Sequence, residues 1–412
     1  MKHGRALALR VLHTISLLCV MLLLLLSAIV LNMQRAEASP DTSSATIGGC
    51  PVFPANNIWN TDISHLPVAA NSANYIASIG LSGHLHPDFG SGLYNGEPIG
   101  IPYVVVPGNQ PGVTVRFQYA SESDPGPYPI PANAPIEGGP QSTGDRHVLV
   151  VARGNCTLYE LFAGYPQKDG SWRAGSGAVW HLASNALRPA TWTSADAAGL
   201  PILPGLVTYD EVASGVINHA LRVTVNQTQQ AFLWPARHYA SSNRNPNLPP
   251  MGLRLRLKAS VNISSFSRID QIILTALKRY GMFVADNGTS WFISGSPDSR
   301  WNNDELHALT SIPGSDFEAV DEARLQVSAN SGQAAGSPPA STPTHAPTTP
   351  PAQANLQQTE FRNVPSASNS LSNGESSGTA PPWLVFVGLA VLFCVAGTIF
   401  ALNWRKKARV PR

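Results

Sequence analysis

Charge is scarce in this 412-residue chain. Charged residues make up 13% of it and the formal net charge is +2, so it lacks the basic character of proteins that bind a nucleic-acid backbone. We expect no nucleic-acid partner. The sequence also contains no GxSxG, HExxH, Walker or dinucleotide-binding motif, which are the usual signs of serine hydrolases, zinc proteases and nucleotide-dependent enzymes. No cofactor is predicted.

Hydrophobic segments at both ends predict that the chain is exported and anchored. A basic start and a long apolar run, followed by small residues, predict a signal peptide over residues 1–38. An uncleaved signal anchor is the alternative, because the run approaches bilayer-spanning length. Residues 383–404 are uncharged, carry a Trp at each edge and precede the basic tail 405–412. They predict a single-pass transmembrane helix in the lipid bilayer, with the tail in the cytoplasm.

Composition divides the exported part into a domain and a stalk. Residues 48–322 have globular composition and are predicted to form a β-rich extracytoplasmic domain. Residues 323–381 are rich in Ser, Thr, Pro and Gln, which predicts a disordered stalk. The predicted location is therefore the cell membrane, with the domain outside.

Cysteine is also scarce, with four in the chain. Cys19 and Cys394 lie in the two hydrophobic end segments, which leaves Cys50 and Cys156 for the domain. Two cysteines in an exported domain usually pair, so we predict a disulfide between them. No CxxC spacing supports the alternative, metal ligation by the two thiolates.

Strand signals dominate the domain. Short stretches rich in Val, Tyr and Phe, separated by Gly and Pro clusters, predict a mainly β fold resembling a β-sandwich or jelly roll. Residues 253–258 alternate Leu with Arg or Lys. This alternation predicts leucines in the core and cations on a solvated face, or on a site for an anionic polymer.

A helix and a hairpin are predicted towards the C-terminal side. Residues 266–280 have helical periodicity and begin with Ser267 as a capping residue. The following Asn287-Gly288 predicts a tight hairpin between residues 282–285 and 290–294. A second, shorter helix is predicted near residues 303–310.

Residues 144–162 contain a hairpin that brings together an acid and a base. Two apolar runs flank Gly154-Asn155, which suits a two-residue turn and predicts that Leu149 faces Glu160. His147 and Glu160 are then diagonal neighbours on one apolar face. The pair predicts either acid–base catalysis or a buried structural interaction.

Other polar groups supply candidate binding residues. The predicted substrate-binding residues are Arg146, Arg237, His238 and Trp301. The spacing of His84, His86 and Asp88 makes them weaker metal candidates, with a polar loop around Pro87 as the alternative. Glycosidases need two carboxylates across a cleft, and the sequence does not choose among Glu137, Glu160, Asp196, Asp210 and Asp298.

Five segments of the domain resemble a group of exported, cell-surface proteins of soil bacteria: residues 54–60, 144–147, 197–205, 234–238 and 285–295. The resemblance covers nearly all of the domain and none of the stalk or anchor. It implies a bacterial cell-surface setting and carries over no catalytic residues.

Two functions fit these expectations. The first is a membrane-anchored hydrolase or lyase that acts on an extracellular polysaccharide by acid–base chemistry, with His147 and Glu160 as the catalytic pair. The second is a non-catalytic carbohydrate-binding or adhesion module displayed on a stalk. A cleft with clustered titratable groups favours the first function, whereas an aromatic strip beside buried, paired groups favours the second.

Overall fold

The computed structural model describes residues 45–336 together with Met21. The remainder of the predicted signal peptide (1–38), the predicted transmembrane helix (383–404) and the basic tail (405–412) therefore lie outside the described residues, as does most of the predicted stalk. Within the described part of the chain, no helix is both long enough and apolar enough to cross a membrane.

The domain is mainly β, as predicted, because strands contribute more residues than helices. In chain order the strands are β1 (Thr46–Ile47), β2 (Cys50–Pro51), β3 (His86–Asp88), β4 (Leu93–Tyr94), β5 (Glu97–Pro98), β6 (Tyr103–Val106), β7 (Val115–Phe117), β8 (Val148–Ala152), β9 (Thr157–Phe162), β10 (Tyr165–Pro166), β11 (Trp172–Ala174), β12 (Ser176–His181), β13 (Leu221–Val225), β14 (Arg254–Leu257), β15 (Met282–Asn287), β16 (Phe292–Ser294) and β17 (Phe317–Ala319).

Helices are fewer and mostly short. The α-helices are α1 (Ser72–Ile79), α2 (Tyr209–Ser214), α3 (Arg268–Arg279) and α4 (Asn303–His307). Single 3-10 turns occupy Ile58–Asn60, Ala120–Glu122, Leu203–Gly205, Ala308–Ser311, Gly314–Asp316 and Ala323–Leu325.

The strands form mixed sheets. A six-stranded sheet has the order β17-β14-β15-β13-β16-β3, a four-stranded sheet the order β12-β9-β8-β6, and a three-stranded sheet the order β10-β11-β7. Each contains a parallel pair: β13 with β15 and β3 with β16 in the first, β6 with β8 in the second, and β7 with β11 in the third. Jelly rolls and antiparallel sandwiches pair their strands antiparallel, so the predicted β class is confirmed but this finer arrangement is not found in the described residues.

The β8–β9 hairpin has the predicted register, with Leu149 opposite Glu160. Its last pair is Ala152 with Thr157, so four residues connect the strands instead of the predicted two. β8 is buried on both faces: Leu149 and Val151 belong to the larger hydrophobic core, whereas Val148 and Val150 belong to the smaller one. The hairpin is thus the layer between the two cores, and the predicted Cys50–Cys156 disulfide joins its tip to β2.

The predicted C-terminal helix is confirmed as α3, and the Ser267 hydroxyl accepts a hydrogen bond from the Asp270 N–H. The predicted hairpin after it is wrong. β15 and β16 do not pair with each other, because β13 lies between them and pairs with both. Because β13 is central, hydrogen bonds to the strands on both sides satisfy its backbone N–H and C=O groups. The Asn287-Gly288 segment crosses over the end of β13.

The predicted solvated cationic face of β14 is also wrong. Arg254 and Arg256 are buried, and they form ion pairs with Glu322 and Glu318, respectively. The carbonyl oxygens of Ile58, Ile63 and Leu66 also accept hydrogen bonds from these two side chains, so the guanidinium groups are not available to an anionic polymer.

Residues 323–336, predicted as the start of the stalk, belong to the folded domain. The Ala334 N–H donates to the Asn56 carbonyl, and Gln333 forms a β-bridge with Asn57. Arg237 donates from its guanidinium to the Ala329 carbonyl and the Asn330 side chain. These polar contacts hold a segment that lacks a large apolar face of its own.

Candidate functional site

A buried ion pair lies at the centre of the six-stranded sheet. Side chains alternate along a strand, so the apolar Leu221, Val223 and Val225 leave Arg222 on the opposite face of β13. The Nε and Nη2 atoms of Arg222 donate to Oδ2 of Asp196 at 3.1 and 2.8 Å. Burial alone would lower the pKa of Arg222, but the Asp196 carboxylate outweighs burial and raises that pKa, so the guanidinium stays charged.

Two further carboxyl groups lie on the same face of the sheet. Asp286 in β15 is opposite Thr224, and Asp88 in β3 is opposite Ser294. Residues directly opposite in neighbouring strands point to the same face, and Arg222 confirms this placement by donating to the Ser294 hydroxyl at 2.7 Å.

A buried histidine from the other sheet completes the group. His147, which immediately precedes β8, has its Nδ1 atom 2.6 Å from Oε2 of Glu137 and its Nε2 atom 3.0 Å from the Ala195 carbonyl oxygen. Carboxylate and carbonyl oxygens only accept hydrogen bonds, so both ring nitrogens must donate and His147 is a cation. We call Asp88, Glu137, His147, Asp196, Arg222 and Asp286 the charged cluster.

The charged cluster moves the pKa values of two carboxyl groups in opposite directions. Burial would raise the pKa of Glu137, but the charge and hydrogen bonds of His147 lower it below the usual value. Burial raises the pKa of Asp286 to about 7, with the Asp196 charge adding to the increase and Arg222 opposing it. Near neutral pH, Glu137 is therefore ionised while Asp286 is about half protonated.

Desolvation also raises the pKa of Asp88, which lies at the solvent-exposed rim of the cluster. The charge of Glu137 raises that pKa further, whereas His86 opposes the increase. Asp88 and Glu137 are thus electrostatic neighbours although they are distant in the sequence.

Glu160 is separate from this arrangement. Its carboxylate is fully buried and accepts hydrogen bonds from the Trp180 indole N–H and the backbone N–H groups of Ile202 and Leu203. The structure therefore pairs His147 with Glu137 and not with Glu160. Glu160 instead joins β9 and β12 to the 3-10 turn at Leu203–Gly205.

The two arginines predicted to bind substrate are buried within the protein. Arg146 donates to the backbone carbonyl oxygens of Ser142 and Gly164. Arg237 donates to the Ala329 carbonyl oxygen in the C-terminal segment 323–336. Neither guanidinium faces solvent, so the structure places both in structural contacts.

The other two predicted binding residues differ in exposure. Trp301 is buried, donates from its indole N–H to the Ser296 carbonyl, and packs against the rings of Phe89 and Tyr209. His238 is partly exposed; its Nδ1 atom lies 2.8 Å from the Ala197 carbonyl oxygen, one residue from Asp196. Of the four predicted substrate-binding residues, His238 alone is both partly exposed and next to a segment of the charged cluster.

The predicted metal candidates do not come together. His84 is exposed, whereas the His86 ring stacks on Phe292 with 4.1 Å between ring centroids. No group of three or more His, Cys, Asp or Glu side chains within residues 45–336 has a geometry that could hold a metal ion.

Sequence reasoning did not group the charged cluster as one site, and it missed Arg222 and Asp286. Glu137 and Asp196 are two of five candidate carboxylates that no sequence feature distinguishes, and Asp286 stands beside the Asn287-Gly288 pair that predicts a turn. Arg222 is the signal that could have been used, because a lone arginine within the apolar strand Leu221–Val225 requires a buried acidic partner.

No protein-family model, curated protein or solved structure matches this chain.

Proposed function

We propose that the protein is a hydrolase or lyase that acts on an extracellular polysaccharide, with Asp286 as the proton donor and Glu137 as the ionised base. The observation that carries this proposal is that Asp286 and the Glu137–His147 pair lie around one buried Arg222–Asp196 pair. The opposite displacement of the two carboxyl pKa values supports it. Two carboxyl groups whose pKa values are displaced in opposite directions provide an acid and a base at the same pH. Cleavage of glycosidic bonds uses such a pair.

The neighbouring groups have supporting roles. Burial and the Asp196 charge together keep a proton on Asp286. Burial also raises the pKa of Asp196, and the Arg222 guanidinium that binds it opposes this increase. His147 keeps Glu137 ionised through a 2.6 Å contact. Asp286 then donates its proton to the leaving-group oxygen while Glu137 activates water, or removes a ring proton in a lyase.

The charges also favour one kind of polysaccharide. The Arg222 and His147 side chains are each 4% exposed and make their hydrogen bonds within the protein. The Glu137 side chain is 25% exposed, and Asp88 lies at the rim. Because the more accessible charges are negative, we expect neutral or amine-bearing glycans to be better substrates than polyuronates or sulfated glycans.

The test is an activity screen of the purified full chain against neutral, amine-bearing and uronic-acid polysaccharides. New reducing ends indicate hydrolysis, and unsaturated products indicate a lyase. We expect Asp286→Asn and Glu137→Gln each to lower kcat by at least about 100-fold. The control is Asp169→Asn, because this carboxylate is exposed in the connection between β10 and β11. Full activity in either cluster variant would refute the assignment of its residue.

The proposed location is the cell membrane, with the domain outside. It rests on the hydrophobic segments at the two chain ends and on the disulfide, which forms in oxidising compartments. A protease added to intact cells should release a fragment that contains the domain. A domain that survives in intact cells but is cleaved after lysis would place it inside the cell.

The alternative is a non-catalytic carbohydrate-binding module. It is favoured by the burial of Arg146, His147, Glu160 and Arg237 and by Tyr94 of the β4–β5 hairpin, which is 72% exposed. Exposed tyrosines suit stacking against sugar rings. Saturable polysaccharide binding that Tyr94→Ala abolishes, without any product formation, would establish this function instead.

A further inference from the structure

Glu137 and His147 are the two ends of a closed loop. The Glu137 N–H donates to the His147 carbonyl at 3.0 Å, and Oε2 of Glu137 contacts both the backbone N–H and the ring of His147. The position of the carboxylate on the imidazole therefore depends on the shape of residues 138–146.

Arg146 fills the inside of this loop. Its Nη1 atom donates to the carbonyl oxygens of Ser142 at 2.9 Å and Pro140 at 3.0 Å, with a longer contact to that of Gly139. Its Nε atom donates to the Gly164 carbonyl at 3.1 Å, beyond the end of β9. One side chain thus fixes the loop to the hairpin that forms the middle layer of the domain.

Arg146 has an unusual backbone conformation that several contacts hold in place. Its φ is +53°, in the left-handed region that residues other than glycine rarely adopt. The Arg146 carbonyl accepts from the Gly164 N–H, and the preceding Asp145 carbonyl accepts from the Ala163 N–H. The Tyr165 ring lies 4.3 Å from the guanidinium carbon and covers it. Surrounding contacts therefore compensate for an unfavourable backbone conformation.

We propose that Arg146 is a positioning residue that shapes the 137–147 loop so that Glu137 stays on Nδ1 of His147. This inference rests on the proposed function, in which Glu137 is the base. The planar guanidinium reaches several carbonyl oxygens at fixed angles. A lysine ammonium keeps the charge but cannot reproduce that geometry. The Arg146→Lys variant therefore tests the geometry of the guanidinium while the positive charge is kept.

The test is an NMR titration of His147 in the isotope-labelled full chain. In the wild type, the Glu137 contact outweighs desolvation and gives a His147 pKa of about 9. In Arg146→Lys and Arg146→Gln we expect folded proteins in which this pKa falls by at least one unit. Arg116→Lys is the control, since Arg116 is exposed in β7. In the glycan assay, we expect both Arg146 variants to lower kcat about tenfold while KM stays constant.

An unchanged His147 pKa in a folded Arg146 variant would overturn the proposal. Loss of the fold in both variants would also overturn it, because Arg146 would then be required for the domain as a whole and not for one contact. The titration needs no activity. If the wild type cleaves no glycan, the proposed function fails while the positioning of Glu137 is still tested.

Discussion

His147 is hydrogen-bonded to Glu137, ten residues before it in the chain, and not to Glu160 across the hairpin. The second ring nitrogen of His147 faces the Ala195 carbonyl oxygen, so the imidazole has only acceptors around its two N–H groups. This arrangement makes His147 a buried cation paired with Glu137, and not a partner of Glu160 as the sequence predicts.

The His147–Glu137 pair should make stability fall at alkaline pH. Burial alone would lower the pKa of His147, but Glu137 raises it to about 9, above the 6.5 of an unperturbed histidine. The contribution of the His147–Glu137 pair to the free energy of unfolding is therefore complete below pH 6.5 and is lost as the pH rises through about 9. Urea unfolding at pH 6, 8 and 9.5 measures this loss.

Glu137→Gln is the matched variant for that measurement. It should lower the free energy of unfolding by about 2 kcal/mol at pH 6, since a hydrogen bond between charged groups is removed. It should also reduce the decrease between pH 6 and pH 9.5. An identical pH dependence in the variant and the wild type would show that this pair does not cause the decrease.

Glu160→Gln should destabilise the domain without changing a catalytic step. The carboxylate accepts from three N–H donors in a fully buried position, and a glutamine amide would turn an N–H₂ group towards one of them. We expect a loss of about 2–3 kcal/mol in the free energy of unfolding, measured by urea denaturation with Asp169→Asn as the control. A loss below about 0.5 kcal/mol would mean that Glu160 contributes little to the fold.

Arg237→Ala should release the C-terminal segment of the domain. The guanidinium donates to the Arg188 carbonyl as well as to Ala329 and Asn330, so its loss leaves three acceptors unpaired. Limited proteolysis should cut the variant near residues 323–336 several times faster than the wild type. Arg244→Ala is the control, because Arg244 is exposed and contacts Gln230. Equal cleavage rates would show that other contacts hold the segment.

Asp270→Asn should stabilise the domain above pH 6. The Asp270 carboxyl group is buried, and neither oxygen has a hydrogen-bond partner within the described residues. Burial raises its pKa to about 6, and the charge of Glu305 adds to the increase. The raised pKa means that ionisation disfavours the folded state, so stability falls between pH 3.8 and about 6 and stays lower above that range.

The Asp270→Asn variant lacks this ionisation. We expect a gain of about 1 kcal/mol at pH 8 and little difference near pH 4, measured by urea unfolding. Glu305→Gln should give a smaller gain in the same direction. A destabilised Asp270→Asn variant at pH 8 would imply that the carboxylate is held by a favourable contact.

Removing the disulfide should destabilise the domain considerably. Cys50 and Cys156 are 106 residues apart, and a crosslink across about 100 residues contributes about 4.7 kcal/mol in the loop-entropy description. Cys50→Ser and Cys156→Ser should lower the free energy of unfolding by similar amounts. Treatment of the wild type with a reductant should reproduce the effect. Unequal losses in the two serine variants would point to a contribution from packing at one cysteine.

The sequence by itself determined part of the local structure of this protein. The β8–β9 register, the α3 helix with its Ser267 cap and the Cys50–Cys156 bond all follow from alternation, helical periodicity or cysteine number. Each depends on residues that are close in sequence, or on the pairing of two cysteines with no competing partner.

Only the tertiary structure decided which strands are neighbours and which charged side chains are paired. It placed β13 between β15 and β16, paired the buried Arg254 and Arg256 with Glu322 and Glu318, and brought Glu137 to His147. Strand order and buried ion pairs depend on how distant segments share one core. The charged cluster is of this kind, since its members come from separate segments of the chain, and for that reason Asp286 and Arg222 could not be assigned to a site from the sequence.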